Sequence, residues 1–287
     1  MIKSMNIDNL QVSLDFAWEL CKNISTSSYP IKKTKEDLKQ SFLKRLAHRD
    51  DQVLMYFKDN QLIGVIELCI ETQEKYVRLG SYIKEDLEKI IDETIENLQE
   101  MCPNYTIHFT YPKENVVAIE YLKSKGYPCI EASNDLRLEI KDLKFEDTHR
   151  ITPERLKKED FIEYAAFHDK HGGAEMYWNS ERVYEVFDRW YIYVYKKGKN
   201  IVASSLTCKS GEEAIEIFGL FLDDIEDSDY IAKELLGHTI KNILEIEVQT
   251  KQVIYFVEDK EVAQYTAAKK VGFKENGSFR CYSYVFN

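Results

Sequence analysis

Two stretches of the chain end alike. Residues 115–127, NVVAIEYLKSKGY, and residues 261–273, EVAQYTAAKKVGF, each read as a helix closed by a glycine and an aromatic, with Gly126 and Gly272 lying 146 residues apart. The same alignment pairs Val116 with Val262, Lys123 with Lys269 and Tyr127 with Phe273. A second register, offset by 139 residues, pairs Tyr56 with Tyr195, Lys58 with Lys197, Ile63 with Val202 and Gly80 with Gly219. A chain that repeats its apolar pattern over half its length is expected to fold as two similar units, because the same pattern specifies the same elements.

Both halves carry one order of elements. Gln52 to Ile70 is two strand-like runs around Lys58-Asp59-Asn60-Gln61, and Trp190 to Cys208 does the same around Lys197-Gly198-Lys199, so each predicts a hairpin. A third strand follows, Lys75 to Ile83 and Ala214 to Leu222. Apolar residues at helical spacing come next: Leu87, Ile90, Ile91, Thr94, Ile95 and Leu98, then Ile231, Leu235, Leu236, Ile240 and Ile243. A short strand, the helix with the repeated ending and a last strand complete each half. Helices are also expected ahead of each hairpin, at Leu14 to Leu20 and Lys35 to Ala47, then at Pro153 to Phe167 and Ser180 to Trp190. The expected fold is α/β (α+β), with two tandem units, each a mixed, mostly antiparallel sheet flanked by helices. They span residues 1–145 and 146–287, the boundary falling in the polar stretch Lys141 to Glu154.

With 287 residues and 44% apolar side chains, each half is long enough to bury its own core. A formal charge of −11, with both halves acidic, argues against nucleic acid or an anionic membrane as partner. Six cysteines without a Cys-x-x-Cys pair read as free thiols, not as a disulfide or zinc framework. No signal-peptide core opens the chain, and no segment approaches the roughly 20 apolar residues that span a bilayer, so a cytoplasmic protein is expected.

The order of elements, with Asn115, Ala118 and the Gly126-Tyr127 ending, resembles the GNAT superfamily of N-acetyltransferases. In that family the last helix carries Asn, then Ala three on, often Tyr seven on, and Gly with an aromatic eleven on. The first half has Leu122 at the tyrosine position; the second keeps Gly272 and Phe273, with Glu261, Gln264 and Ala268 at the other places. The resemblance covers nearly the whole chain. It implies acetyl-coenzyme A (coenzyme A) as cofactor, held where the third and fourth long strands splay apart and one strand's backbone pairs with the pantetheine. It also implies a pyrophosphate on backbone N–H groups at the start of the following helix, in an Arg/Gln-x-x-Gly-x-Gly/Ala loop. The second half puts Tyr230 and Ala232 at the Gly-x-Ala positions and Asp227 at the arginine, among five acids from Asp223 to Asp229. The first half has Glu85, Leu87 and Tyr82 there. The second half is therefore the expected cofactor unit, through Leu220, Leu222, Tyr230, Ile231, Ala232 and Lys233, and the first half, which contributes Asn115, is expected to be degenerate.

Amide formation from a thioester needs a neutral amine, an oxyanion stabiliser and an acid for the departing thiolate. Glu216 on the third strand and Glu258 at the end of the fourth are the candidate bases, and Tyr265, one turn before Ala268, is a candidate hydroxyl. The segment FHDKHGGAEMYW, Phe167 to Trp178, joins the first two helices of the second half, where the family shapes its acceptor pocket. Its Gly172-Gly173 turn is flanked by His168, His171, Tyr177 and Trp178, the candidate acceptor contacts. His168 and His171 share a helix face, as a metal pair would, but no third ligand is evident and no metal is expected. The expected activity is acetyl transfer to an amine of a small molecule or peptide. The competing expectation is a non-catalytic binding or scaffolding protein with decayed cofactor sites, and the loop at Tyr230-Ile231-Ala232 separates the two.

Overall fold

Apolar alternation becomes sheet, and helical apolar spacing becomes helix, at nearly every place the repeat marks. The computed structural model describes residues 1–148, 150–172 and 176–286. The first half runs β1 (Ile2–Ser4), α1 (Leu10–Cys21), α2 (Lys35–Ala47), β2 (Gln52–Lys58), β3 (Gln61–Glu71), β4 (Tyr76–Ile83), α3 (Leu87–Met101), β5 (Thr106–Pro112), α4 (Val116–Ser124) and β6 (Cys129–Glu139). The second runs β7 (Glu154–Arg155), α5 (Phe161–Gly172), α6 (Ser180–Glu185), β8 (Trp190–Lys197), β9 (Asn200–Lys209), β10 (Ala214–Leu222), α7 (Ser228–Ile246), β11 (Gln252–Glu258), α8 (Val262–Val271) and β12 (Lys274–Val285). The helix expected from Pro153 starts only at Phe161, because Glu154 and Arg155 pair with β8 instead. The helix expected to reach Trp190 stops at Glu185, and a short 3-10 turn, Phe187–Arg189, leads into β8. No helix among the described residues is long and apolar enough to cross a membrane.

The chain forms two compact units: a first of Met1–Ala132 with the stretch from Ser278, and a second of Ser133–Gly277. The sheet order is β1-β2-β3-β4-β5-β12 in the first unit and β7-β8-β9-β10-β11-β6 in the second. Within each, all pairings are antiparallel except β4 with β5 and β10 with β11. Each half of the sequence thus lends its last strand to the other half's sheet: Phe279–Val285 of β12 pairs with β5, and Ser133–Glu139 of β6 pairs with β11. The stretch Lys141 to Glu154 consequently lies inside the second unit. A strand's apolar pattern says which face is buried but not which edge it joins.

Helices cover both faces of each sheet. In the first unit Ile90, Ile91, Ile95 and Leu98 of α3 bury against Ile66, Leu68 and Phe109, while Leu14, Leu38 and Phe42 of α1 and α2 cover Val53 and Val65. In the second, Ile231, Leu235, Leu236, Ile240 and Ile243 of α7 bury against Ile215, Ile217 and Val253. Phe161, Tyr164 and Phe167 of α5, with Val183 of α6, cover Trp190, Ile192 and Leu206 on the opposite face. Each such side chain stabilises the fold by about 1.5–3 kcal/mol relative to exposure, so the two units share one apolar frame and differ in their polar residues.

Candidate active site

The parallel strands of the second unit part company. β10 and β11 pair only from Ala214–Gln252 to Ile217–Tyr255, although β10 continues to Leu222 and β11 to Glu258. At that point β10 carries a bulge against β9, between Ile217 and Gly219. Beyond it, the bond from Asp223 N to Val202 O (2.9 Å) fixes which residues face β9, and the alternation turns the N–H and C=O of Leu220 and Leu222 toward the gap. Gln264 of α8 donates its Nε2 to Leu220 O at 3.4 Å across that gap. At Gly219 the Phe221 ring packs directly over the backbone, and a Cβ would lie 2.3 Å from it and push the ring aside.

Glu216 sits one residue before the parting. Cross-strand register places Trp190, Cys208, Glu216, Ile254 and Arg137 side by side over five strands on one face. Burial raises the Glu216 pKa above the ordinary 4.5, against the opposing pull of a Ser210 Oγ hydrogen bond (3.3 Å) and of the Arg137 and Arg189 guanidinia. Arg137 is held by Asp135 through Nε and through Nη2 at 3.0 Å, and Asn276 Nδ2 donates to the same carboxylate at 2.9 Å. Trp190 meets Trp178 edge-on at 5.1 Å and Phe218 at 5.2 Å. Sequence reading missed Arg137, Arg189 and Trp190, which only register brings to Glu216.

Other expected residues lie elsewhere. Glu258 is on the same face as Glu216, about 13 Å further along β11, exposed and paired with Lys260 at 2.8 Å. Tyr265 donates to Glu275 at 3.0 Å, and burial followed by that bond raises its pKa. The helix α7 begins at Ser228, after Asp227 in left-handed conformation, and Ile231 N already bonds Asp227 O at 2.9 Å. The N–H groups left over at this terminus are therefore those of Ser228, Asp229 and Tyr230. Ile231 and Ala232, expected at the phosphate, lie in the core at 3% and 0% exposure. Lys233 is drawn to Glu234 at 3.2 Å, and Tyr230 bonds Thr148 through its hydroxyl. The Arg150 guanidinium lies 5.6 Å over the Tyr230 ring, a cation near this terminus that lies outside the sequence motif.

In the acceptor segment, His168 is fully buried; its Nε2–H donates to Trp178 O at 2.6 Å and its Nδ1 accepts from Tyr164 at 2.9 Å. Burial lowers its pKa below 6.5, so it is a neutral strut holding Trp178 in place, not a contact open to an acceptor. His171 bonds Asp223 at 2.9 Å, and the Lys170 ammonium beside it holds that carboxyl below its usual range. Tyr177 is exposed under the Arg182 guanidinium at 4.2 Å, and Trp178 is half-buried. Gly173 lies outside the described residues.

A potential metal-ligating group does occur, away from the expected histidine pair. Donor atoms of Asp147, Glu234 and His238 lie within 4.8 Å of one another. Glu234 and His238 stand one turn apart on α7, a spacing visible in the sequence. The Glu234 carboxylate already accepts from Lys233 at 3.2 Å and from Thr148 Oγ1 at 2.8 Å, and His238 Nε2 lies 3.2 Å from Asp147 Oδ1.

The first unit repeats the parting without its chemistry. β4 and β5 pair from Tyr76–Thr106 to Leu79–Phe109 and separate beyond, but β3 and β4 run without a bulge. Arg78 stands where the second unit has Glu216. The offset between the units is 138 before the bulge and 139 after it, a one-residue slip that the sequence displays. Thr110 turns its carbonyl toward the gap and there accepts from Tyr29 N at 3.0 Å and Ser28 Oγ at 3.4 Å. Asn115 is buried, capping Ala118 N at 3.3 Å and donating to Ser27 O at 3.0 Å. Its amide thus anchors the segment that fills the gap, in place of the cofactor contact expected of it.

No family model and no curated protein matches the chain. Solved structures do. A GCN5-related N-acetyltransferase from Sphaerobacter thermophilus superposes with a TM-score of 0.62 at 11% identity, over 100% of this chain and 96% of that one. A tandem GNAT protein from the clavulanic acid biosynthesis pathway gives 0.51 at 10% identity, over 100% and 98%. A protein of unknown function from Staphylococcus epidermidis gives 0.57 at 15% identity, over 81% and 94%. Likeness at such identities speaks for the backbone and leaves the chemistry to the residues. The chain has the fold of the GNAT N-acetyltransferases, in two tandem units.

Proposed function

We propose that the second unit transfers an acetyl group from acetyl-coenzyme A to an amine, and that the first unit is structural. Glu216 carries this reading: a half-buried carboxyl with a raised pKa, beside a bulge that the first unit lacks, where two parallel strands separate. The GNAT fold supports acetyl transfer as the reaction class. Leu220 and Leu222 turn their backbone groups to the gap as an added strand would require, which suits a pantetheine arm. The first-turn amides of α7 and Arg150 offer positive charge to a pyrophosphate. Acetyl-coenzyme A supplies the activated acyl carbon and a thiolate leaving group. Glu216 would accept one proton from the incoming ammonium, freeing the lone pair that attacks the acyl carbon, and the second proton lost from that nitrogen would go to the departing thiolate. A carboxylate made more basic by burial is the better acceptor for that proton. The six free thiols suit a reducing compartment, the cytoplasm.

Asp227 and Asp229 at the start of α7 oppose an anion there and favour the second reading, a non-catalytic binding protein. Titration calorimetry and native mass spectrometry with coenzyme A decide between them. The proposal expects one coenzyme A per chain, since residues 27–29 fill the first unit's gap; no binding at millimolar concentration would leave the second reading.

A further inference from the structure

We infer that the acceptor is a free amino acid, its amine meeting Glu216 and its carboxylate meeting Arg189. This rests on the acetyltransferase reading of the second unit and adds the substrate class. Arg189 closes the turn before β8, is exposed, and lies over two indoles, 5.0 Å from the Trp178 ring centre and 5.4 Å from that of Trp190. Stacking orients a guanidinium without neutralising it. Among the described residues no carboxylate forms an ion pair with Arg189, whose guanidinium reaches instead to the Cys208 thiol.

Cys208 is the cross-strand neighbour of both Trp190 and Glu216 in one row, so the Arg189 guanidinium, at the Cys208 thiol, stands one strand away from Glu216 on the same face. The other guanidinium of that row, Arg137, is already matched by Asp135. What faces an incoming ligand is therefore one anion and one oriented cation, the complement of a zwitterion. One strand spacing, about 5 Å, separates β9, whose Cys208 thiol the guanidinium reaches, from β10 with Glu216. The ammonium and carboxylate of an α-amino acid are about 3 Å apart, so a molecule lying over this face meets both charges, each through a hydrogen bond of about 3 Å. Beside this row, Trp190 Nε1, on a side chain 2% exposed, has no hydrogen-bond partner. The edge-on rings of Trp178, Trp190 and Phe218 give the ligand's side chain apolar walls, which favours phenylalanine- or leucine-like molecules over polar ones.

The test uses the full chain with acetyl-coenzyme A. KM and kcat are measured for phenylalanine and leucine, for their amides and for the matching decarboxylated amines, and binding of the same compounds is followed by ligand-observed NMR. The amino acids should show KM values at least roughly tenfold below those of their amides. Arg189→Ala should raise the amino-acid KM by roughly 10- to 100-fold and the amides' KM several-fold less, so that the preference for acid over amide is lost; Arg189→Lys should restore most of that preference. Amides or amines used as well as the acids would overturn the inference. So would an Arg189→Ala effect shared equally by acids and amides, or amino acids that neither bind nor react. Arg189-dependent amino-acid binding in a protein that takes up no coenzyme A would leave this inference standing and sink the acetyltransferase reading.

Discussion

Gly126 and Gly272 hold the same place in the repeat but not in the structure, and replacing each by alanine should separate them. Gly126 has φ +75, and a Cβ there would meet nothing within 4 Å. Its replacement therefore costs only the left-handed backbone penalty, about 1–2 kcal/mol. Gly272 has φ +117, well outside the left-handed helical well, and a Cβ would lie 2.4 Å from Asp142 O and 3.3 Å from Leu138 Cδ1. That carbonyl belongs to backbone that cannot swing aside cheaply, because Lys144 N bonds Val271 O at 2.8 Å and Lys274 holds the Asp142 carboxylate. Conformational strain of about 1–3 kcal/mol and the clash together make a loss of roughly 3–5 kcal/mol. At about 2–4 °C per kcal/mol for a unit of this size, Gly126→Ala should lower Tm by about 2–8 °C and Gly272→Ala by about 6–20 °C. Urea unfolding checks the same order, with circular dichroism reporting on both units and tryptophan fluorescence mainly on the second, which holds Trp178 and Trp190. Equal losses for the two variants, or a Gly272→Ala loss below about 1 kcal/mol, would refute the steric reasoning.

Glu216→Gln should lower turnover by roughly 10²–10⁴ with coenzyme A affinity nearly unchanged, whereas Glu258→Gln, at an exposed carboxylate paired with Lys260, should have little effect; the reverse ranking would transfer the base to β11. Because burial raises the Glu216 pKa, its contribution to stability is full below about pH 4.5 and is lost as pH rises through the folded value, so at pH 7 the glutamine variant should melt no lower than the parent. His168 has the opposite sign: its pKa is lowered from 6.5, so the neutral ring's stability is present above that pH and is lost on acidification, and His168→Gln should flatten the fall in Tm between pH 7 and 5. An identical slope in both proteins would count against a buried neutral ring. The strand exchange predicts that a fragment of residues 133–277 folds alone while residues 146–287 do not, the latter lacking the β6 partner of β11; circular dichroism showing both folded would remove the exchange from the energetics.

Particular residues show how far reading a sequence carries into a site. Glu216 was visible as a carboxylate on a third strand, and the backbone of Leu220 and Leu222 does face the gap. Ala232 falls at a Gly-x-Ala position in the sequence, but α7 begins at Ser228 and helix geometry puts Ala232 one turn inside, in the core. His168 reads in the sequence as an acceptor contact, but Tyr164, one turn away, and the Trp178 carbonyl, which only the tertiary fold brings in, take both of its ring nitrogens.

The sequence by itself determined the order of elements, the duplication and the buried faces of α3 and α7. Apolar periodicity is a local property, and burial rewards it wherever the face lands. Only the tertiary structure decided which strands close which sheet, because backbone edges are chemically alike and pairing depends on what arrives beside them. It also decided which charges meet. Arg137, Arg189 and Glu216 come from three separate elements, and a pKa or an ion pair depends on distance in space, which cross-strand register sets and sequence separation does not.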